Sequence, residues 1–310
     1  MPLEEWLGQL GTLELTALDV AVRFRAPVRL ADPAGAVVRG LLGERLRDLR
    51  CLTRAPVCEG CAETARCDYA RIFASQAALA ESPAGREGAR DLHPYWLQGL
   101  PVARALDAGT QLAARLVVAG FAAAALPYLD VALRDALARL GALPRERAPE
   151  LSATSTRRVA LPLAEPAPGA GANARAWRIE ARTPLILRGD AAWCEGACPR
   201  APWLALLVRA GVRRLDALLG AFTPPAMRPR VEMPGLEDVE VVEGRLAPWR
   251  GSRYSLRQGQ RFPLEGLTGS VVLRGAALGN VGPLLRVLEV TGVGKATSMG
   301  FGTLAATPLP

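Results

Sequence analysis

The chain has 310 residues, 50% hydrophobic and 22% charged, with a formal net charge of +8. That length supports one large or two ordinary domains with their own cores, and no run of about 18 uncharged apolar residues is present to span a membrane. A basic chain suits a polyanionic partner, nucleic acid above all. The rival explanation is compositional: every basic residue but Lys295 and His93 is an arginine, as a GC-rich genome also writes them. The opening "MPLEEWLGQL" carries acids where a secretory signal needs a basic start, so a cytoplasmic protein is expected.

In chain order, "ALDVAVRFRAPVRL" alternates, with Leu18, Val20, Val22 and Phe24 on one face and Asp19, Arg23 and Arg25 among the others, which is strand period. "VVRGLLGERLRDLR" follows with Val38, Leu41, Leu42, Leu46 and Leu49 at helical spacing. Then come four cysteines, Cys51, Cys58, Cys61 and Cys67, spaced C-x6-C-x2-C-x5-C. In a reducing compartment such a cluster suggests metal before disulfide, and four thiolates make a closed tetrahedral zinc site. The alternative is a set of free thiols packed under a loop. "TQLAARLVVAG" reads as a strand, "LPYLDVALRDALARLGAL" as an amphipathic helix ended near Gly141 and Pro144, and "TRRVALPLA" as a strand.

"EPAPGAGANA" is rich in proline and glycine and reads as a linker. After it the order restarts. "AWRIEARTPLIL" is a predicted strand and "APWLALLVRAGVRRLDALLGAF" a predicted helix. "LEDVEVVEGRLAPW" and "YSLRQGQRFPLEGLTGSVVLRG" read as strands of a hairpin, "GPLLRVLEV" as a short helix and "FGTLAAT" as a last strand. Each half approximates β-α-β-β-α-β. The expected architecture is α+β: two tandem ferredoxin-like domains, residues 1–165 with a Cys-rich insertion at 51–67, and residues 174–310 with a glycine-rich loop at 292–302. Cys194 and Cys198, in "WCEGACPR", fit no pattern.

The loop "GVGKATSMGFG" holds Gly292, Gly294, Gly300 and Gly302 together with Lys295, Thr297 and Ser298. Glycines admit positive φ and close approach of a ligand, successive N–H groups can form an anion nest, and an ammonium and two hydroxyls suit a phosphate. A nucleotide P-loop fails on spacing, because Glu289 stands where its first glycine belongs and Ala296 where Ser or Thr must follow the lysine. A turn that merely packs closely is the other reading. Just upstream, Arg253, Arg257 and Arg261 recur every four residues, with Tyr254, Gln258 and Gln260 between them. Arginines can pair with phosphates and tyrosine can stack on a base; a solvated strand face has the same composition.

Together "RGLLGERLRDLRC", "CEGCAETARCDYARIF", "HPYW", "RYSLRQGQRFPLEGLTGSVVLRG" and "GVGKATSMGFGTL" resemble, in order, the CRISPR-associated endoribonucleases of the RAMP superfamily that cut precursor CRISPR RNA. The resemblance implies two ferredoxin-like domains, a glycine-rich loop that contacts the RNA repeat, and cysteines at the places found here. It implies RNA-binding roles for Arg253, Arg257, Gln258, Arg261, Gly292, Gly294, Lys295, Thr297, Ser298, Gly300 and Gly302. It also implies a reaction without metal, in which a ribose 2′-OH attacks the adjacent phosphate to leave a 2′,3′-cyclic phosphate and a 5′-OH.

That chemistry asks for a base, an acid for the leaving oxygen and positive charge on the phosphorane. Many members carry a histidine where this chain has Glu44, and the only histidine, His93, lies in "LHPYW", a stretch that looks structural. Arginine does not deprotonate in proteins. The candidate catalytic residues are therefore Lys295, Tyr254 and Glu44. A nuclease that keeps its product can run on weak acid–base groups and good orientation. The expected partners are CRISPR repeat RNA and other CRISPR effector subunits, with no membrane, and the expected cofactor is one structural Zn2+ on the four clustered cysteines. The alternative is a non-catalytic subunit of the same fold that holds guide RNA, which the missing histidine favours; a backbone subunit of the superfamily fits the glycine loop less well.

Overall fold

The computed structural model describes residues 1–30, 32–73, 92–102, 105–140, 148–163, 175–187, 202–222, 231–255 and 259–310. Cys194 and Cys198 lie outside them, as do Arg257 and Gln258. Ten strands and six α-helices are found among the described residues. In the first half they are α1 (Leu3–Gln9), β1 (Leu15–Arg23), β2 (Val28–Arg29), α2 (Ala34–Arg50), α3 (Asp68–Phe73), β3 (Tyr95–Gln98), β4 (Ala105–Leu106), β5 (Gln111–Ala119), α4 (Leu126–Ala138) and β6 (Glu150–Val159). In the second they are β7 (Ala176–Leu185), α5 (Pro202–Phe222), β8 (Glu240–Ser255), β9 (Gln260–Arg274), α6 (Leu278–Thr291) and β10 (Leu304–Leu309).

Two four-stranded sheets result, ordered β3-β5-β1-β6 and β10-β7-β9-β8, with every pair antiparallel. Setting aside α1, α3 and the small β2–β4 ribbon, each half runs β-α-β-β-α-β, with its first strand between its third and its fourth. That is the ferredoxin-like order, in which each helix returns the chain over one face of the sheet.

The apolar alternation of β1 divides its side chains between two cores. Leu18, Val20 and Val22 face α2 and α4, packing with Val38, Leu42, Leu46, Leu129 and Leu133. Leu15 and Ala17 belong instead to a cluster that runs from Trp6 and Leu10 of the N-terminus through Trp96 and Val117 into Leu207, Leu284 and Leu288 of the second half. The halves are thus joined by buried apolar surface, each fully buried aliphatic side chain contributing about 1.5–3 kcal/mol.

Besides the short α1, α3, β2 and β4, which the sequence reading did not single out, two strands depart from it. β3 is four buried residues with no alternation, so period carries no signal there. β6 begins at Glu150, earlier than "TRRVALPLA" suggests, because nine of its ten residues are exposed on a sheet edge and show no apolar pattern.

Candidate nucleic-acid interface

The last helix of the second half is capped by the first half. Trp96 Nε1 donates to Val290 O at 2.8 Å, and Gln98 Nε2 donates to Glu289 O at 2.8 Å and Val290 O at 3.1 Å. Arg214 of α5, buried over the Trp96 ring, donates its Nε to Thr291 O at 3.1 Å, and burial lowers its pKa to about 10. The final carbonyls of an α-helix lack intrahelical donors, so these side chains set where the chain leaves α6. It leaves directly into the glycine-rich turn.

The turn is internally bonded. The N–H of Val293 reaches Gly302 O, that of Lys295 reaches Ile186 O, and that of Gly302 reaches Pro184 O; those of Met299, Gly300 and Phe301 bond within the turn, and that of Gly292 to Leu288 O. This corrects the expected nest: most backbone donors of residues 292–302 are committed to the fold, so charge for an anion must come from side chains. The glycines are needed for packing. At Gly294, φ is 80°, and a Cβ would lie 2.4 Å from Ile186 O.

The turn docks on the N-terminal end of α2. A Cβ on Gly35 would lie 2.0 Å from Met299 O, closer than any real contact. One turn on, Arg39 Nε donates to Ser298 Oγ at 3.3 Å. Thr297 and Ser298 are buried in this contact, whereas Lys295 is exposed and makes no ion pair among the described residues.

The β8–β9 hairpin reaches the same end of α2. Asp32, 9% exposed, accepts the Tyr254 N–H at 3.2 Å and Arg261 Nη1 at 2.9 Å. The Tyr254 ring is exposed, with the Arg261 guanidinium 6.0 Å from its centre, and Arg253 lies 5.0 Å from the Phe262 ring centre. The structure therefore gathers Tyr254, Arg253 and Arg261 with Ser298 and its glycine turn around the start of α2. Asp32 and Arg39 are residues that sequence reasoning missed. One signal was present: Gly35, Arg39 and Gly43 recur every four residues, so a helix carries them on one face. Gly35 meets the turn and Gly43 the Phe73 ring.

Glu44, the third expected catalytic residue, stands apart from these groups. It lies five residues beyond Arg39, about 140° round the helix, and pairs with Arg139, the residue that ends α4, at 2.9 Å. It is not brought to the glycine turn. His93 sits beside Tyr95, ring centres 5.5 Å apart.

The four clustered cysteines bridge α2 and α3. Cys51 caps α2, Cys67 immediately precedes α3, and all four line one pocket together with Thr53 and Thr64. Burial, and after it the neighbouring Cys67, raises the Cys58 thiol above its ordinary pKa, with Arg47 opposing. Among the described residues no group of three or more His, Cys, Asp or Glu side chains is drawn to ligating distance. The donor set, four soft thiols on one pocket, nevertheless has the chemistry of a structural zinc site.

Two family models match the chain. Residues 13–157 match one described as an N-terminal domain, and residues 179–304 match the CRISPR-associated endoribonuclease Cas6. No curated protein matches. Similar solved structures include Thermus thermophilus Cas6, at 16% identity and TM-score 0.49, covering 95% of this chain and 98% of that one. A Cas6 product complex has 17% identity and TM-score 0.48, covering 94% and 99%. A Cas6-related protein from Pyrococcus furiosus has 9% identity and TM-score 0.44, covering 96% and 100%. No helix among the described residues is long and apolar enough to cross a membrane. The hairpin, α6 and the glycine-rich turn thus lie within a segment, residues 179–304, that matches the CRISPR-associated endoribonuclease Cas6.

Proposed function

We propose that this protein binds CRISPR repeat RNA across the seam between its two halves and cuts precursor CRISPR RNA. The observation that carries this reading is the Cas6 match over residues 179–304, which contain the hairpin and turn that converge on α2. In the proposed reaction the ribose 2′-oxygen attacks the neighbouring phosphorus as its proton leaves, the P–O5′ bond breaks, and the 5′-oxygen takes up a proton. The products carry a 2′,3′-cyclic phosphate and a 5′-OH, and no metal takes part. Lys295, exposed at the rim of the turn, contacts phosphate and can exchange a proton if RNA desolvates it. The exposed Tyr254 phenol aligns the 2′-OH or stacks on a base. Arg253, Arg261 and Ser298 contact the backbone, and the glycines set the shape of the turn. Arg257 and Gln258, which lie outside the described residues, are read from sequence alone as further RNA contacts. Glu44, held by Arg139, has no role in this scheme.

The two functional units are read as residues 1–165 and 174–310. Cys51, Cys58, Cys61 and Cys67 would hold one structural zinc ion tying α3 to the end of α2. The protein acts in the cytoplasm, keeps its product and hands it to other CRISPR-associated subunits.

A second reading, a repeat-binding subunit that does not cut, is favoured by one feature: the position of the usual helix histidine is Glu44, and that residue is tied to α4. Incubation of repeat RNA with purified protein in EDTA separates the two. Products ending in cyclic phosphate establish the nuclease; intact RNA bound tightly establishes the subunit.

A further inference from the structure

The seam between α2 and the glycine-rich turn concentrates positive charge that the protein does not neutralise. Arg39 comes from α2, its Nε on Ser298 Oγ at 3.3 Å and its guanidinium 5.7 Å from the Phe73 ring centre. Arg253 comes from the hairpin. Burial, and after it the positive charge of Arg39, hold the Arg253 guanidinium below its ordinary pKa, with Asp32 opposing. Neither Arg39 nor Arg253 makes an ion pair among the described residues. The carboxylate that faces them, Asp32, is already engaged by Arg261 and by the Tyr254 N–H.

Tyr95 of β3 closes the floor. It is 1% exposed, and its hydroxyl lies beside Ser298 and Arg39 without a well-formed hydrogen bond to either. Burial raises its pKa; Arg39 and Ser298 are near enough to favour the phenolate, but burial prevails, so the group is a neutral O–H donor. A buried hydroxyl without a well-formed hydrogen bond and two half-buried arginines repelling each other both cost free energy in the isolated protein. One anion placed among them relieves both. A guanidinium fork matches two oxygens of a phosphate, and hydroxyl groups match a third.

We propose that Arg39, Arg253 and Ser298, above the Tyr95 hydroxyl, form a subsite for a single phosphate group. Given the RNA-binding reading on which it rests, the occupant is one phosphodiester of the bound RNA, held where the two halves meet. The three side chains come from α2, β8 and the turn, so the subsite exists only when the halves are docked.

The test uses the full chain with Arg39→Ala, Arg39→Lys and Arg253→Gln, each checked for an unchanged circular dichroism spectrum. Affinity for repeat RNA is measured over a series of salt concentrations. Arg39→Ala and Arg253→Gln should each weaken binding about tenfold and lower the slope of log K against log salt by about one unit, as loss of one phosphate contact does. Arg39→Lys should keep the slope and lose part of the affinity, since the charge stays and the fork goes. Inorganic pyrophosphate is the second probe: it should raise the melting temperature of the wild type and not of Arg39→Ala. Wild-type affinity and slope in both Arg39→Ala and Arg253→Gln would overturn the subsite while leaving the RNA reading standing. A wild type that binds no RNA but is stabilised by pyrophosphate through Arg39 would sink the RNA reading and keep the phosphate site. Absence of both responses removes the subsite.

Discussion

The indole N–H of Trp96, on a strand of the first half, donates to the carbonyl oxygen of Val290, on the last helix of the second half, at 2.8 Å. Gln98, two residues along the strand, reaches the same carbonyl at 3.1 Å. One acceptor thus has two donors. Trp96→Phe keeps most of the buried ring and leaves Val290 O bonded to Gln98, so it should cost only about 1 kcal/mol. Gln98→Ala leaves Val290 O bonded to Trp96 but also removes the bond to Glu289 O, so it should cost more, about 1–3 kcal/mol. The double variant strands the carbonyl and should cost more than the sum of the two, because residues sharing a partner do not act additively. Chemical denaturation of the four proteins reads this directly. Strict additivity would show that the cap does not act as a unit.

The contact between Gly35 and the turn is a sharper steric case. Gly35→Ala places a Cβ where Met299 O now sits, 2.0 Å away, and neither partner is the end of a flexible side chain. The turn must lift from α2. The expected loss is about 1–3 kcal/mol, the usual cost of overpacking. Faster amide exchange across residues 296–301 should accompany it, since the docked turn is what loosens. A variant as stable as wild type, with unchanged exchange, would mean that the turn yields without cost.

The second half was legible because its elements follow the strongest signal a sequence carries. Pro202–Phe222 buries Leu204, Leu207, Val208, Leu215 and Leu218 at helical spacing, and β7 alternates from Trp177 to Ala181. The hairpin and the glycine turn were visible for the same reason, as runs of residue types with a physical purpose. α1 and β3 were not, since seven and four residues are too few to establish a period. The site was legible only in part. Arg253, Tyr254 and Ser298 stood out in sequence, whereas Arg39 and Asp32 resemble ordinary polar positions beside a helix start. What sets them apart is contact across more than 200 residues: Arg39 with Ser298, Asp32 with Arg261. Glu44 was chosen by its place in a motif, and the turn of the helix carries it to Arg139 instead.

Salt dependence tests the electrostatic basis of binding. The protein carries +8, and Arg253 and Lys295 lack ion-pair partners among the described residues. Affinity for repeat RNA should fall steeply as salt rises, with log K linear in log salt and a slope of about −0.7 to −0.9 for each phosphate contact. A flat response would exclude phosphate-led binding.

Metal content tests the cysteine cluster. Four thiolates closing one tetrahedral site hold one ion, so protein never exposed to chelator should carry about one equivalent of zinc. Cys58→Ser should lower that content and the melting temperature together. The seam residues of α2, Gly35 and Arg39, lie toward its start, whereas Cys51 caps its other end, so RNA affinity should change less than stability. Metal-free protein of full stability would leave Cys51, Cys58, Cys61 and Cys67 as packed thiols.

Lys295 is the chain's single lysine, and the bonding of the turn sharpens what it can do. Its own N–H is spent on Ile186 O, as those of Val293 and Gly302 are spent elsewhere. The positive charge that the turn offers an anion therefore comes from the exposed ammonium. Lys295→Ala should leave the fold and melting temperature intact, weaken repeat-RNA binding, and lower the salt slope by about one unit. Lys295→Arg separates charge from proton transfer. Arginine keeps the positive charge but does not release a proton near neutral pH. The expected outcome is RNA affinity close to wild type with cleavage slowed by about 10²-fold or more, the usual contribution of a positioned acid or base. Full cleavage by Lys295→Arg would assign the lysine to phosphate binding alone. If Lys295→Ala binds and cuts as the wild type does, the ammonium has no part in either step, and the positive charge that RNA meets at the seam comes from arginine.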